Sequence, residues 1–217
     1  MQASQRVVEE RTAGVGKASP LSGLLPGGTI HPGTAASAGA DLPLLLALAA
    51  LATAGTAAWA AVGVPELGAL AAAQAGLDLA MGLVVADPGP RGAQVLGALL
   101  ESVPVVLVGS AVRIPDRAVR RLRALMRRSG SVLLAQGGWP GAEVQLRVVS
   151  AGWEGVGRGH GLLHGRRVTV TAGGRGAAAR PRRAELWLPG PDGLVGVVER
   201  EAAEAPVERR AGLRVVG

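Results

Sequence analysis

Residues 105–135 read VVLVGSAVRIPDRAVRRLRALMRRSGSVLLA, and this stretch decides the fold. Val105-Val106-Leu107-Val108 is a strand too apolar to have a wet face. Ala118, Val119, Leu122, Leu125 and Met126 then recur at helical spacing, while Arg117, Arg120, Arg121, Arg127 and Arg128 take the opposite face. Asp116 stands where a cap would start this helix and Gly130 where one would end it. Ser131–Ala135 follows as a second strand with no polar side. Two wholly apolar strands joined through an amphipathic helix are a parallel pair, covered on both faces.

Working back toward the N-terminus, the same rhythm repeats. Leu83-Val84-Val85-Ala86 is a strand with Asp87-Pro88-Gly89-Pro90 as its turn, and Gly92–Ser102 is a helix. Ala57–Val64 is an earlier buried strand, followed by a helix Glu66–Ala75 closed by Gly76. Asp41 is a natural N-cap with Pro43 in the first turn, opening a helix Leu42–Ala54 that Gly55 ends. Before it, Thr29-Ile30 is a short apolar start and His31–Ala40 a loop rich in Gly, Ala and Ser. Past Pro140 the pattern changes. Glu143–Val149, Arg167–Ala172 and Ala184–Leu188 alternate apolar with polar residues, with no helix between them. The expected class is α/β, a parallel sheet flanked by helices and extended by C-terminal antiparallel strands. Residues 1–20 read as a flexible arm, 21–190 as one core, and 191–217 as a tail outside it.

The bulk composition bounds the function. Of 217 residues, 48% are hydrophobic and 18% charged, enough for a packed core. The net charge of +7 rests almost entirely on Arg, with Lys17 the only lysine, and suits nucleic acid or an acidic protein face as partner. An Ala, Gly, Arg, Val and Pro excess also carries the mark of GC-rich codons. With no cysteine, disulfides, thiolate catalysis and cysteine zinc sites are all excluded. His31, His160 and His164 have no metal-ligand spacing around them, so neither metal nor cofactor is expected. Leu42–Val64 is nearly uncharged and long enough to cross a bilayer. Its Ala, Thr and Gly content, broken at Gly55-Thr56, fits a buried helix, a turn and a buried strand better. Met1–Pro20 lacks an apolar signal core, so a cytoplasmic location is expected, with no membrane contact.

A strand, a Gly-rich loop and a helix is the setting of a P-loop. That chemistry needs backbone N–H groups to cradle phosphate, a Lys for its charge and a hydroxyl for Mg²⁺. The loop here reads Pro32-Gly33-Thr34-Ala35-Ala36-Ser37-Ala38-Gly39-Ala40-Asp41. Ala40 and Asp41 stand where Lys and Ser/Thr should follow the last glycine, and an anion there repels phosphate. The second requirement is an acid at the end of a neighbouring strand. After Val105–Val108 come Gly109 and Ser110. The sequence therefore reads as a degenerate P-loop on Gly33, Gly39, Ala40 and Asp41.

These residues bear a resemblance. Leu24-Leu25-Pro26-Gly27-Gly28-Thr29-Ile30 looks like the segment leading into the first core strand of RecA, and the later strands are similar to its closing antiparallel ones. Gly138-Trp139-Pro140-Gly141-Ala142, Gly155–Gly161, Gly174–Arg183 and Leu186-Trp187-Leu188-Pro189-Gly190 resemble the actinobacterial ImuA-type proteins. The resemblance covers roughly residues 21–190. It implies a RecA-like fold and a non-enzymatic accessory role in the mutasome, the SOS-induced translesion machinery. The implied partners are an ImuB-type inactive Y-family polymerase homologue and an error-prone DNA polymerase, with nucleoid association when engaged.

Arg120, Arg121, Arg127 and Arg128 make a basic stripe that is either a solvated face or a partner or DNA contact. Arg175, Arg180, Arg182 and Arg183 lie in a Gly- and Pro-rich segment without apolar anchors. That segment suits a phosphate backbone, through a weak sequence-independent DNA contact, or an acidic protein patch, or else is ordinary surface. The four Trp are too scattered for a base-stacking platform. Trp59 is expected in the core. Trp139, Trp153 and Trp187 lie near strand ends, where one of them is expected as an interface anchor, with Trp187 the candidate contact residue. His160 and His164 sit in a Gly-rich loop with no partner acid.

Two further readings compete with the mutasome adaptor. One is a cell-division inhibitor of the SulA type binding FtsZ, which composition does not separate from the first. The other is an active RecA-like ATPase, against which the missing Lys, hydroxyl and carboxylate argue.

Overall fold

Alternate residues of the parallel strands divide between two cores, and this period-2 division organises the molecule. The computed structural model describes residues 19–54, 57–157 and 160–198. Nine strands form one sheet: β1 Ala35–Ser37, β2 Trp59–Val62, β3 Gly82–Val85, β4 Val105–Val108, β5 Val132–Ala135, β6 Val144–Gly157, β7 His160–Gly174, β8 Arg182–Trp187 and β9 Gly196–Val197. Their order across the sheet is β3-β2-β4-β5-β1-β6-β7-β8-β9. Strands β1 to β6 pair in parallel, and β6 to β9 antiparallel.

Four α-helices connect the parallel strands: α1 Leu42–Thr53, α2 Ala69–Gln74, α3 Gly92–Ser102 and α4 Asp116–Ser129. From β1 the chain runs outward to β2 and β3, then returns through β4 to β5. Right-handed crossovers therefore put α1 and α2 on one face, α3 and α4 on the other. The cores follow suit. Leu44, Leu45 and Leu48 of α1 pack with Trp59, Ala61, Leu107 and Leu134 on the first face. Leu96, Leu100, Leu122, Leu125 and Met126 pack with Ala60, Val62, Val106 and Leu133 on the second. Each fully buried Leu contributes about 1.5–3 kcal/mol relative to an exposed one.

The expected buried helix, turn and strand replace any span over Leu42–Val64. The 12-residue α1 is about 18 Å long, and no helix of the described residues is long and apolar enough to cross a membrane. Asp41 caps α1 by accepting from Leu44 N–H, and Pro43 lies in its first turn. The helix closes on Ala54 in the left-handed region, φ 47°; the expected stop, Gly55, falls outside the described residues.

Other details differ from the sequence reading. Asp116 is the first residue of α4, beside the positive end of its dipole, and Pro115 is the N-cap. Glu66 lies before α2, which starts only after Gly68. Strand β3 is not covered as expected of an apolar strand: Leu83 and Val84 are each 51% exposed. It is the sheet edge, and α2 is too short to shield it.

On the antiparallel side, Leu146, Val168, Val170 and Leu186 face the first core and meet Leu21 and Leu24 of a 3-10 turn, Pro20–Leu24. Among the described residues, no side chain of β6–β8 joins the second core. These strands therefore keep one open face. β6 and β7 are far longer than expected, and Val156, Gly157, His160 and Gly161, read as part of a loop, pair with one another in these strands. Part of the expected tail is also in the sheet, since Gly196 and Val197 pair with Trp187 and Leu186. Residues 1–18 of the arm and 199–217 of the tail lie outside the described residues.

Candidate functional site

The phosphate cradle expected at Gly33–Asp41 is interrupted by a strand. Thr29-Ile30 forms no strand; β1 instead occupies Ala35–Ser37, in the middle of the supposed loop. Gly33 therefore precedes β1 and Gly39 follows it, separated by roughly 20 Å of extended chain. Gly33 packs on the backbone of α4, where a Cβ would stand 3.1 Å from Arg127 Cα. Only Ala38–Asp41 connects β1 to α1, at the carboxyl ends of the strands, where ligands of open α/β sheets bind.

Two N–H groups of that turn are already engaged. Ala38 N–H donates to Ala135 O at 2.9 Å, and Gly39 N–H to Ser37 Oγ at 3.4 Å. Ser37 Oγ in turn donates to Gly137 O, and Gly39 bridges Gly137. The turn is thus fastened flat onto the end of β5. At the helix terminus, Asp41 Oδ1 accepts from Leu44 N–H at 3.0 Å, and Asp41 Oδ2 accepts from Arg166 Nη2 at 2.7 Å. Both side chains of this ion pair are about 85% buried, 14% and 15% exposed. The positive end of α1, which elsewhere attracts an anionic ligand, holds an internal carboxylate and its counter-ion.

The end of β4 is closed to a carboxylate for a steric reason. A Cβ on Gly109 would lie 1.7 Å from Gly63 O. Gly109 N–H donates to Val62 O at 2.9 Å, holding the two chains at that separation. No residue with a side chain fits there. An acid does reach this edge from β2: Glu66 Oε1 accepts from Gln136 Nε2 at 2.6 Å. That bond, and a second from its own backbone N–H, lower the Glu66 carboxyl below its ordinary value, against a smaller opposing effect of burial. Among the described residues, no group of His, Asp and Glu has the arrangement to hold a metal ion.

The basic candidates divide between two parts of the chain, α4 and the β7–β8 region. Arg120, Arg121, Arg127 and Arg128 are exposed on α4, and Arg128 pairs with exposed Glu101 at 3.5 Å. Arg175 and Arg180 are exposed in the β7–β8 connection, while Arg182 and Arg183 belong to β8, on its opposite faces. Trp187 lies at the other end of β8 from these arginines. It is half-buried, with Arg167 Cζ 5.4 Å above its ring. Arg167 also bonds Glu154 at 3.0 Å. The basic segment and Trp187 are therefore not one patch.

Sequence reasoning named Trp153 and Arg183 singly but missed the residues they stand beside, Leu162, Leu163 and Arg147. Trp153 is 56% exposed, with Leu162 at 77% and Leu163 at 57%, on the part of the β6–β7 hairpin that extends past β8. Arg147 and Arg183 flank Thr171 across three strands. Only the pairing register reveals either. Trp139, by contrast, is buried in the second core, and its Nε1 has no hydrogen-bond partner.

Comparison with known proteins adds two findings. The model of the MT3502 N-terminal domain family matches residues 23–141, which include strands β1–β5 and all four helices and stop before β6. The chain is also 34% identical over 135 residues to "Uncharacterized protein Rv3395c" of Mycobacterium tuberculosis, spanning 60% of this chain and 66% of that relative.

Proposed function

The chain belongs to the family of the MT3502 N-terminal domain, and we propose that this member is a non-catalytic, RecA-like accessory protein of SOS-induced translesion synthesis. The observation that carries the reading is the Asp41–Arg166 pair at the start of α1. It fills with the protein's own charges the place where a RecA-like ATPase would hold phosphate. The parallel sheet with antiparallel strands along one side supports the RecA-like assignment. The resemblance of the loop motifs to ImuA-type proteins supports the pathway.

A fold without a phosphate site acts by presenting surface. Trp153, Leu162 and Leu163, exposed on the projecting hairpin, supply apolar anchors for a protein interface. The partner proposed for them is the ImuB-type polymerase homologue, which engages the error-prone polymerase in turn.

Two measurements test this. Calorimetric titration with Mg-ATP should give no binding, and micromolar affinity would sink the non-catalytic reading. Co-purification with the ImuB-type homologue should succeed with the full chain and weaken when Trp153 and Leu162 are both changed to Ala. Capture of FtsZ instead would favour the SulA-type reading.

A further inference from the structure

We infer that the open face of β6–β8, continuous with one side of α4, is a docking surface for the phosphodiester backbone of nucleic acid. The inference rests on register and charge, and is independent of the protein partner proposed above.

The floor of the surface is a cross-strand row. Arg147 of β6 pairs with Thr171 of β7, which pairs with Arg183 of β8. Residues paired across strands point to the same face, so two guanidinium groups flank one hydroxyl. Neighbouring strands are about 4.8 Å apart, which sets the two arginine backbones roughly 10 Å apart. Both arginines are exposed, and among the described residues neither takes part in an ion pair. Two exposed like charges at this separation repel one another weakly in water, and an anion held between them relieves that repulsion.

The wall of the surface is α4. Arg120, Arg123 and Arg127 follow one another at spacings of three and four, so they share one side of the helix. Two contacts fix which side that is. The Arg123 guanidinium lies over Gly141, just before β6, with Nη1 3.0 Å from where a Cβ would stand. The backbone of α4 at Arg127 packs on Gly33, just before β1. This arginine side therefore borders the open sheet. At the same edge, Arg175 N–H donates to Glu143 O at 3.0 Å, bringing the β7–β8 connection and exposed Arg180 alongside. Chain segments far apart in sequence thus contribute to one basic surface. Glu185 is an acid on this face, and Glu154 neutralises Arg167.

Its chemistry points to phosphate rather than to a protein. Protein interfaces draw their energy from buried aromatic and aliphatic anchors. Here the exposed groups are Arg147, Arg167, Arg183, Gln145 and Glu185, with Val149 exposed at the β6 bulge, and the one aromatic, Trp187, is half-buried against Arg167. Arginines with so little apolar surface beside them suit backbone contacts that carry no sequence information.

The test is fluorescence anisotropy of the full chain with labelled oligothymidylate and a mixed-sequence duplex over a series of salt concentrations. Both should bind, with affinity falling steeply as salt rises. Arg147→Gln with Arg183→Gln should weaken duplex binding about tenfold and lower the salt slope by about two, the loss of two phosphate contacts. Arg91→Gln with Arg113→Gln removes the same charge from exposed positions elsewhere and should change binding little. Unfolding curves that match the parent keep the comparison valid; if Arg147→Gln with Arg183→Gln unfolds early, Arg123→Gln on α4 is the second variant and should weaken binding by itself. Equal losses from the two pairs, or no loss from the first, would overturn the inference. So would polyglutamate competing as well as DNA of equal charge, which would make the face an acidic-protein site.

Discussion

One carboxylate, that of Asp41, binds both the first turn of its own helix and a strand 125 residues away. Its Oδ1 accepts from Leu44 N–H at 3.0 Å and its Oδ2 from Arg166 Nη2 at 2.7 Å. Arg166 is itself fixed, its N–H donating to Pro189 O and its carbonyl accepting from Leu188 N–H. The pair thus ties the parallel half of the sheet to its antiparallel extension.

Asp41→Ala removes the cap and leaves a largely buried guanidinium unpaired, and should cost about 3 kcal/mol in denaturant unfolding. Arg166→Met keeps the cap but leaves the Asp41 carboxylate without its counter-ion, stabilised only by Leu44 N–H and the helix dipole, so it should cost less, about 2 kcal/mol. An Asp41→Ala cost no greater than that of Arg166→Met would show that the carboxylate has no such double role.

Gly109→Asp, the substitution that would supply an acid at the end of β4, should not give a stable protein. Its Cβ would meet Gly63 O at 1.7 Å, backbone against backbone. A loss of at least about 3 kcal/mol, or failure to express in soluble form, is expected. Gly138→Ala is the control, because nothing lies within 4 Å of the added carbon. Normal thermal unfolding of Gly109→Asp would disprove the close approach.

Ala54→Gly should stabilise. Ala54 ends α1 at φ 47°, a conformation that costs a residue with a Cβ about 1–2 kcal/mol. Part of the relief is offset by the greater freedom of Gly in the unfolded chain, leaving a gain of about 0.5–1 kcal/mol. A fall in melting temperature would contradict the left-handed assignment.

Glu66 should contribute to acid sensitivity. Its folded carboxyl lies below the ordinary 4.5, chiefly through the Gln136 bond. A depressed carboxyl stabilises the fold above its ordinary value, and that contribution disappears as pH falls through the folded value. Glu66→Gln should therefore flatten stability against pH below about 4.5 and leave the neutral range nearly unchanged. An unaltered acid limb would mean that the Gln136 bond does not form in solution.

Where a segment's own residues settle its free energy, the sequence alone determined the outcome. The α4 stripe, the Asp41 cap and the apolar runs at β2, β4 and β5 belong here, because helical spacing, capping and strand hydrophobicity act over a few residues. The alternation of β6–β8 was legible in the same way. Only the tertiary structure decided the rest. Ala35-Ala36-Ser37 has little strand preference of its own and is a strand because β5 and β6 pair with its two sides. The glycines of β6 and β7 look like loop residues, but each strand supplies the other's hydrogen bonds. The loop read over Gly33–Asp41 is broken by β1 for this reason, since nothing local announces a strand inside it. The Asp41–Arg166 pair and the Arg147–Thr171–Arg183 row depend on register, fixed by which face of each strand is buried. That choice is made by the whole sheet against its cores, and no short window of sequence contains it.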